Sequence, residues 1–414
     1  MKKISFFVEA FPVLSQTFVI EQITNMIDAG FDVDIVALWP GEGLVTPPAW
    51  ENHYKLRDKV TYLLSELPYS SRTRIPFSKK MLLMINIIIR PHLYWLLLEC
   101  FGMAKRGNLD IAIRYMEFAS LIRNLHTTDI YFAHFGNVGV YCSILRKLKV
   151  LGGEQMTVFH GIEMSAYDIF EIWKKQYIKL AESNVLLLPI SELWKNKLVR
   201  LGIDKSKIEV IHMGINPNEW LFESRCLSRP LKVLTVARAT EKKGLCYAIN
   251  AVAMCDFDIE YEIVGDGPLL CELRELANAL GVGKKIRFSG SQNSDYVKHA
   301  LARADTFLLP SVTARNGDME GIPVSLMEAM AKGVIVISTI HSGIPELIKD
   351  GVNGLLCVEC DSKGLSEKLK ALAIGTVNLE QMRINARKTI ESQFNSILIV
   401  KQIQNALSRH SIGN

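Results

Sequence analysis

The sequence predicts an α/β protein of two doubly wound, Rossmann-like domains facing a central cleft. Three observations carry this. The chain has 414 residues, too many for one hydrophobic core and a natural length for two domains. Short apolar, β-branched runs alternate with amphipathic helical patterns in both halves, which is how parallel strands covered on both faces read. Apolar residues make up 49% and charged residues 22%, a globular composition that excludes a disordered chain.

Six runs read as strands in the first half: ISFFVE (4–9), FDVDIVAL (31–38), DIYFAHF (129–135), MTVFHG (156–161), NVLLLPIS (184–191) and KIEVIHMG (207–214). Six more follow: LKVLTVAR (231–238), IEYEIVGDG (259–267), KIRFSG (285–290), DTFLLPSV (305–312), VIVIST (334–339) and NGLLCV (353–358). Each leads into a loop and then a helical pattern, as in GPLLCELRELANALG (267–281). Between the sets, the stretch 214–233 carries Pro217 and Pro230 and no periodicity, so the boundary is placed there. The expected division is 1–222, 223–395 and a terminal segment, 396–414, that packs back on the first domain.

Charge and cysteine usage narrow the function. The net charge of +5 is diffuse, which argues against a nucleic-acid partner. Eight cysteines are scattered, and the one close pair is CVEC at 357–360. It lacks the second pair of a structural zinc site, so the thiols read as reduced and packed as small hydrophobes. The N-terminal apolar run is broken by Glu9, which favours a first strand over a signal peptide. No run is long and clean enough to span a bilayer. The nearest, 81–100, is interrupted by Asn86, Arg90, Pro91 and His92, with Arg72, Arg74, Lys79 and Lys80 just upstream. Two buried helices with a proline break, or a membrane-surface contact, both fit.

In open α/β sheets, ligands bind beyond the carboxyl ends of the strands. One such end reads ARATEKKGL, with Arg238, Lys242, Lys243 and Gly244. Fixed cations before a glycine suit a diphosphate, and a solvated surface fits equally well. The next end, GDGPLL, places Gly265 and Gly267 at a turn but lacks the third glycine of GxGxxG, which argues against a dinucleotide-dependent dehydrogenase. A third end delivers DMEGIPVSLMEA, with Glu320 and Glu328 on either side of Gly321, Ile322, Pro323 and Val324. Pro323 suits the first turn of a helix, whose free N–H groups make an anion site. The carboxylates would then flank a phosphate-binding helix start, or simply serve the helix dipole. In the first half, strand ends place His134 and His160 where a histidine could donate a hydrogen bond or move a proton. The first strand leads to Ser15, Gln16 and Thr17, a polar loop able to cap the next helix.

These motifs together resemble a GT-B-fold retaining glycosyltransferase of family 4. Glu320 and Glu328 form the family's E-x7-E pair, with RATEKKG, VGDGPL, HSGIPELI (341–348) and GVNGLL (351–356) in its order and spacing, and FHG (159–161) as its first-domain histidine motif. The branch with FPVLSQTFVIEQI, AHFGN and SVTARNGDMEGIPVSLMEAMA is similar to colanic-acid and amylovoran-type exopolysaccharide enzymes.

The resemblance implies a nucleotide-sugar donor, UDP- or GDP-linked, and a lipid-linked oligosaccharide acceptor. It places the chain in the cytoplasm, peripheral at the inner face of the cytoplasmic membrane, where the membrane-surface reading of residues 72–100 would bring it into contact with anionic lipid. Arg238 and Lys243 would grip the donor diphosphate, and Glu328 the ribose. Glu320 and the backbone of Gly321–Val324 would meet donor sugar and phosphate. Gly265 would belong to the donor site, and His160 would sit beside the anomeric centre. Ser15, Gln16 and Thr17 would approach phosphate and acceptor. This chain has no glycine in the loop after its first strand, so the Ser15 and Thr17 hydroxyls are the expected substitutes there. No metal and no other cofactor is implied, and the Asp-x-Asp sequences at 32–34 and 256–258 read as structural. Two alternatives remain open from the sequence: a nucleotide-sugar-binding assembly protein without transfer activity, and an epimerase of the same plan.

Overall fold

A computed structural model of the chain describes residues 2–13, 17–41, 53–64, 77–122, 125–224, 226–375 and 378–412. Among these, twelve strands form two six-stranded parallel sheets. The first contains β1 (Lys3–Phe11), β2 (Asp32–Pro40), β3 (Val60–Tyr62), β4 (His126–His134), β5 (Leu151–Phe159) and β6 (Val185–Pro189), in the order β3-β2-β1-β4-β5-β6. The second contains β7 (Leu231–Val236), β8 (Ile259–Val264), β9 (Ile286–Gly290), β10 (Thr306–Leu309), β11 (Ile335–Thr339) and β12 (Leu355–Cys357), in the order β12-β11-β10-β7-β8-β9. Each sheet runs outward both ways from its first strand. The order therefore reverses between β1 and β4, and between β7 and β10, where such folds open a crevice for ligands.

Every residue of β6, β10, β11 and β12 is buried, because helices cover both faces. One apolar core surrounds the first sheet and two flank the second. The last helix, Ser396–Ile412, belongs to the first core by its contacts, through Ile399, Val400, Ile403 and Leu407. The chain thus crosses back after completing the second sheet.

The run 207–214 is not a strand, contrary to its β-branched composition. It makes one bridge, Leu187 to Ile208. Glu209 and Ile211 donate to the carbonyls of Leu187 and Pro189, at 3.0 and 3.1 Å. The return bond would need an N–H at Pro189, which proline lacks. The sixth strand is β3 instead, pairing from Ile35–Val60 to Ala37–Tyr62.

The apolar region 81–100 forms two helices, Phe77–Ile88 and Tyr94–Lys105, bent by 111° at a break containing Pro91. No single helix among the described residues is long and apolar enough to cross a membrane. Ile87, Leu93, Leu96 and Met103 are buried, yet many of their apolar neighbours are not.

Candidate functional site

The site begins at the carboxyl ends of β7 and β8. Beyond β7, Arg238 is exposed and makes no ion pair or hydrogen bond with any described side chain. Beyond β8, Gly265 has φ +134°, and a Cβ there would lie 2.0 Å from the Ala237 carbonyl oxygen. Only glycine lets the two strand ends approach this closely. Arg238, Gly265, Asp266, Ser291 and Gln292 wall a cleft of ≈ 810 Å³, and Thr17 from the first domain also lines it.

A short turn, Glu241–Lys243, carries the next cations. Lys243 Nζ lies 2.9 Å from Glu320 Oε2. Lys242 pairs with Asp318 at 3.1 Å and stands 3.7 Å from Glu320 Oε1. Glu320 is buried. Burial alone would push its carboxyl up, but Lys243 and Lys242 outweigh burial and hold it below the usual carboxylate range. Its backbone N–H donates to His341 Nε2 at 3.1 Å, while His341 Nδ1 lies 2.6 Å from Glu359 Oε1. A backbone N–H can only donate, so the His341 proton sits on Nδ1 and points at Glu359. Ser342 Oγ donates to the Glu320 carbonyl at 2.5 Å. Glu320 is thus held at its carboxylate, its N–H and its carbonyl.

Across the cleft, β4 and β5 end in histidines. His134 Nδ1 and His160 Nε2 are 3.0 Å apart, with the rings stacked at 5.2 Å. Burial drives the His160 pKa down to about 3, and His134 also falls well below its ordinary value. Both are therefore neutral at physiological pH, and one ring donates to the other. His134 Nε2 is buried without a partner. An orphaned acceptor is better tolerated than an orphaned N–H, which favours the proton on His134 Nδ1. His160 then carries its proton on Nδ1, which makes no bond with a described residue and is left as a donor. Phe18 and Phe135 hold the ring, at 4.8 and 4.6 Å between centroids. Phe135 has φ +73°, a strained geometry of the kind that persists where surrounding structure enforces it. The Glu163 carboxylate accepts the N–H groups of His160 and Gly161 at 2.6 and 3.0 Å.

The helix Val324–Lys332 follows β10, with Pro323 at its cap rather than in its first turn, since Pro323 has the extended ψ of 122°. Glu328 is half-buried on this helix. Burial first, then the like charges of Glu21 and Glu219, raise its pKa to about 8, partly offset by Lys298. Glu21 comes from the first domain, on helix Thr17–Asp28, and is itself raised to about 7 by burial and by Glu219. Lys298 follows Val297, which lines the cleft.

The domains touch closely behind the cleft. A Cβ on Gly321 would lie 2.6 Å from Ile190 Cδ1 and 2.9 Å from the His160 carbonyl oxygen. One on Gly343 would lie 2.7 Å from Ile322 Cγ1 and 3.2 Å from Ser191 Cβ. Ser165 Oγ accepts the Met319 N–H at 3.0 Å. Glu346 accepts the N–H of Glu192 at 3.0 Å and lies 2.9 Å from His212 Nε2.

The structure therefore brings Arg238, Gly265 and Thr17 into one cleft. Lys243 and Glu320 form an ion pair, and His160 reaches Gly321 through its backbone. Ile322 and Pro323 are buried and Val324 opens the helix. Glu328 lies beside the cleft rather than among its lining residues. Ser15 and Gln16 lie outside the described residues. Sequence reasoning assigned no role to His341, Glu163 or Glu346. His341 and Glu346 sit in the quoted HSGIPELI motif, which was the available signal; Glu163, two residues beyond FHG, gave none. Of the Asp-x-Asp residues, Asp34 pairs with Lys3 at 2.8 Å and Asp256 with Lys370 at 3.0 Å. Cys357 is buried and Cys360 exposed, and the two are free thiols.

Two parallel sheets meeting at such a cleft are the architecture of a GT-B glycosyltransferase. Residues 218–389 match the family model described as glycosyl transferases group 1. The chain is 38% identical to the amylovoran biosynthesis glycosyltransferase AmsK of Erwinia amylovora, over 98% of this chain and 99% of that one. It is 37% identical to the putative colanic acid biosynthesis glycosyltransferase WcaL of Escherichia coli K12, again over 98% and 99%. The chain belongs to the group 1 glycosyltransferases. Its fold resembles Anabaena Alr3699/HepE crystallised with UDP, at TM-score 0.71 and 18% identity over 99% of this chain and 100% of that one. The same Anabaena protein with UDP-glucose superposes at TM-score 0.70 and 17% identity, over the same shares.

Proposed function

We propose that this glycosyltransferase moves a sugar from a UDP- or GDP-sugar to a hydroxyl of a lipid-linked oligosaccharide in exopolysaccharide biosynthesis, with retention at the anomeric carbon. The observation that carries the donor reading is Arg238. It is a guanidinium without a partner among the described residues, in the wall of a cleft sized for a nucleotide, at the strand end where diphosphates bind. The pathway rests on the likeness to AmsK and WcaL, named for amylovoran and colanic acid biosynthesis, and the lipid-linked acceptor on the family resemblance alone.

In the reaction, the donor diphosphate lies against Arg238 and Lys243. The acceptor oxygen bonds to the anomeric carbon as the bond from that carbon to the phosphate oxygen breaks. The departing phosphate takes the acceptor proton, so attack and departure share one face. Retention by two displacements would need a carboxylate on the opposite face. Glu320 is instead engaged with Lys243 and suits sugar positioning. His160, neutral and with Nδ1 unbonded, donates to a sugar hydroxyl. Glu328 holds the ribose. Arg238 and Lys243 offset the charge on the leaving diphosphate, a reading in which no metal takes part.

Thermal unfolding with UDP-, GDP- and ADP-sugars tests the donor, because a ligand of the native state raises its apparent stability. Transfer to an extracted lipid-linked acceptor, with the anomeric configuration read by NMR, tests the rest. Donor binding with no transfer or hydrolysis in the presence of that acceptor would count against it.

A further inference from the structure

We propose that His341 and Glu359 are positioning residues for sugar transfer, acting through the backbone of Glu320 to set where its carboxylate stands. The inference rests on the sugar-positioning role given to Glu320 above. Neither residue is among those lining the cleft. Glu320 lies outside any helix or strand, between β10 and the helix Val324–Lys332. Such a stretch has no ladder to fix its peptide planes, so its buried backbone groups need other partners. They come from the loop after β11. His341 Nε2 accepts the Glu320 N–H at 3.1 Å, and Ser342 Oγ donates to the Glu320 carbonyl at 2.5 Å. Two consecutive residues thus hold both sides of Glu320, which leaves its side chain little freedom about the backbone. Ser342 has φ +48°, a left-handed backbone uncommon for serine and of the kind that surrounding structure must enforce.

The histidine can do this in one proton arrangement. Nε2 must be bare to accept, so the ring proton belongs on Nδ1. Glu359 Oε1 stands 2.6 Å from Nδ1 and takes that proton's hydrogen bond. Glu359 is fixed in turn, because its other oxygen accepts the Thr313 N–H at 2.8 Å. The contacts tie together the loops after β10, β11 and β12, three neighbouring strands of the second sheet. The ring is wholly buried, while the carboxylate keeps contact with solvent. Packing alone does not account for the pair, since an apolar side chain fills a buried gap without needing two hydrogen-bond partners. A carboxylate that sets a histidine's tautomer is an orienting device. The opposite tautomer would set Nε2–H against the Glu320 N–H and release the stretch that carries Glu320 and Gly321. Glu359 lies within CVEC, so the carboxylate rather than the thiols gives that stretch its use.

The first test needs no substrate. Nitrogen-15 NMR of the ligand-free full chain at neutral pH, with the His341 ring identified by its loss in His341→Gln, should show a protonated Nδ1 and a bare Nε2. A protonated Nε2 would overturn the proposal. The second test is steady-state transfer from UDP-glucose or GDP-mannose, whichever raises the unfolding temperature, to the extracted lipid-linked acceptor. His341→Asn places an amide near Nδ1 but does not reach the Glu320 N–H; His341→Gln places an amide oxygen near Nε2 and keeps that bond. His341→Asn should lower kcat about 10- to 100-fold and leave donor KM within about twofold, the pattern of a misplaced group that acts in the transition state. His341→Gln should recover most of that loss, and Glu359→Ala should lower kcat in the same direction. Equal kcat for the Asn and Gln variants would overturn the proposal, as would a loss confined to donor KM or one that follows a lowered unfolding temperature in both. A wild-type chain that transfers no sugar would overturn the transfer reading and the role in transfer with it, while the ring spectrum still decides the pairing.

Discussion

Lys243 Nζ and Glu320 Oε2 stand 2.9 Å apart, so the cation assigned to the donor diphosphate is neutralised by the carboxylate assigned to the donor sugar. A diphosphate arriving beside Lys243 competes with Glu320 for it. Lys242, 3.7 Å from the other Glu320 oxygen, is placed to take over the carboxylate. The pair thereby keeps a buried acid ionised until the donor arrives.

Removing one partner exposes this arrangement. Lys243→Ala should destabilise the ligand-free protein by no more than about 3 kcal/mol, the lower range for orphaning a buried charge, because Lys242 remains. Chemical denaturation at neutral pH measures it. The loss should shrink at acid pH. Glu320's depressed pKa contributes stability that is present above its unfolded value of 4.5 and vanishes as pH falls through the lower folded value.

Arg238 has no partner among the described residues, so its truncation separates binding from folding. Arg238→Ala should leave thermal unfolding unchanged while kcat/KM for the donor falls about 10- to 100-fold, the worth of one or two charge-assisted hydrogen bonds. An unchanged kcat/KM would remove Arg238 from the diphosphate site.

Glu328 should report on pH in two opposite ways. Its folded pKa of about 8 lies above the ordinary 4.5, so the native state holds a proton the unfolded chain has released. Stability of the ligand-free protein should therefore fall as pH rises from about 4.5 to about 8, and Glu328→Gln should flatten that decline. Donor affinity should rise over the upper part of the same window, as the ionised carboxylate becomes the better acceptor for ribose hydroxyls. Titration calorimetry with the donor checks the second effect. Glu328→Ala with unchanged donor KM would count heavily against the ribose role.

Gly321 leaves no room for a methyl group between Ile190 and the His160 carbonyl. Ile190 can turn away; a backbone carbonyl cannot. Gly321→Ala should shift the two domains apart and reduce kcat by about 100-fold, the effect of misplacing reacting groups by roughly an ångström. Steady-state kinetics at saturating donor tests this, and Gly343→Ala should act in the same direction more mildly.

Eleven of the twelve strands were legible because parallel strands buried on both faces are written locally, as apolar runs between helices. The exceptions were equally physical. β3 is an edge strand with no fully buried residue, so no apolar run marks it, and the run 207–214 looked like a strand but met Pro189 where its partner needed an N–H. Of the residues singled out in the sequence, Arg238 and His160 stand next to a run that ends, Lys243 lies in the turn after β7, and Glu320 and Glu328 lie beyond β10, before and within the next helix.

The sequence by itself determined the two sheets, the strand ends and the residues displayed there. These follow from hydrophobic period and turn chemistry within about ten residues. The tertiary structure alone decided how those residues are paired: Lys243 with Glu320, His134 with His160, Glu21 facing Glu328 from the other domain, and His341 under the Glu320 backbone. It also decided that helices 77–88 and 94–105 bury only one stripe each. Such contacts join residues far apart in the chain, through the packing of one sheet against another, and no local pattern encodes which side chain arrives opposite which.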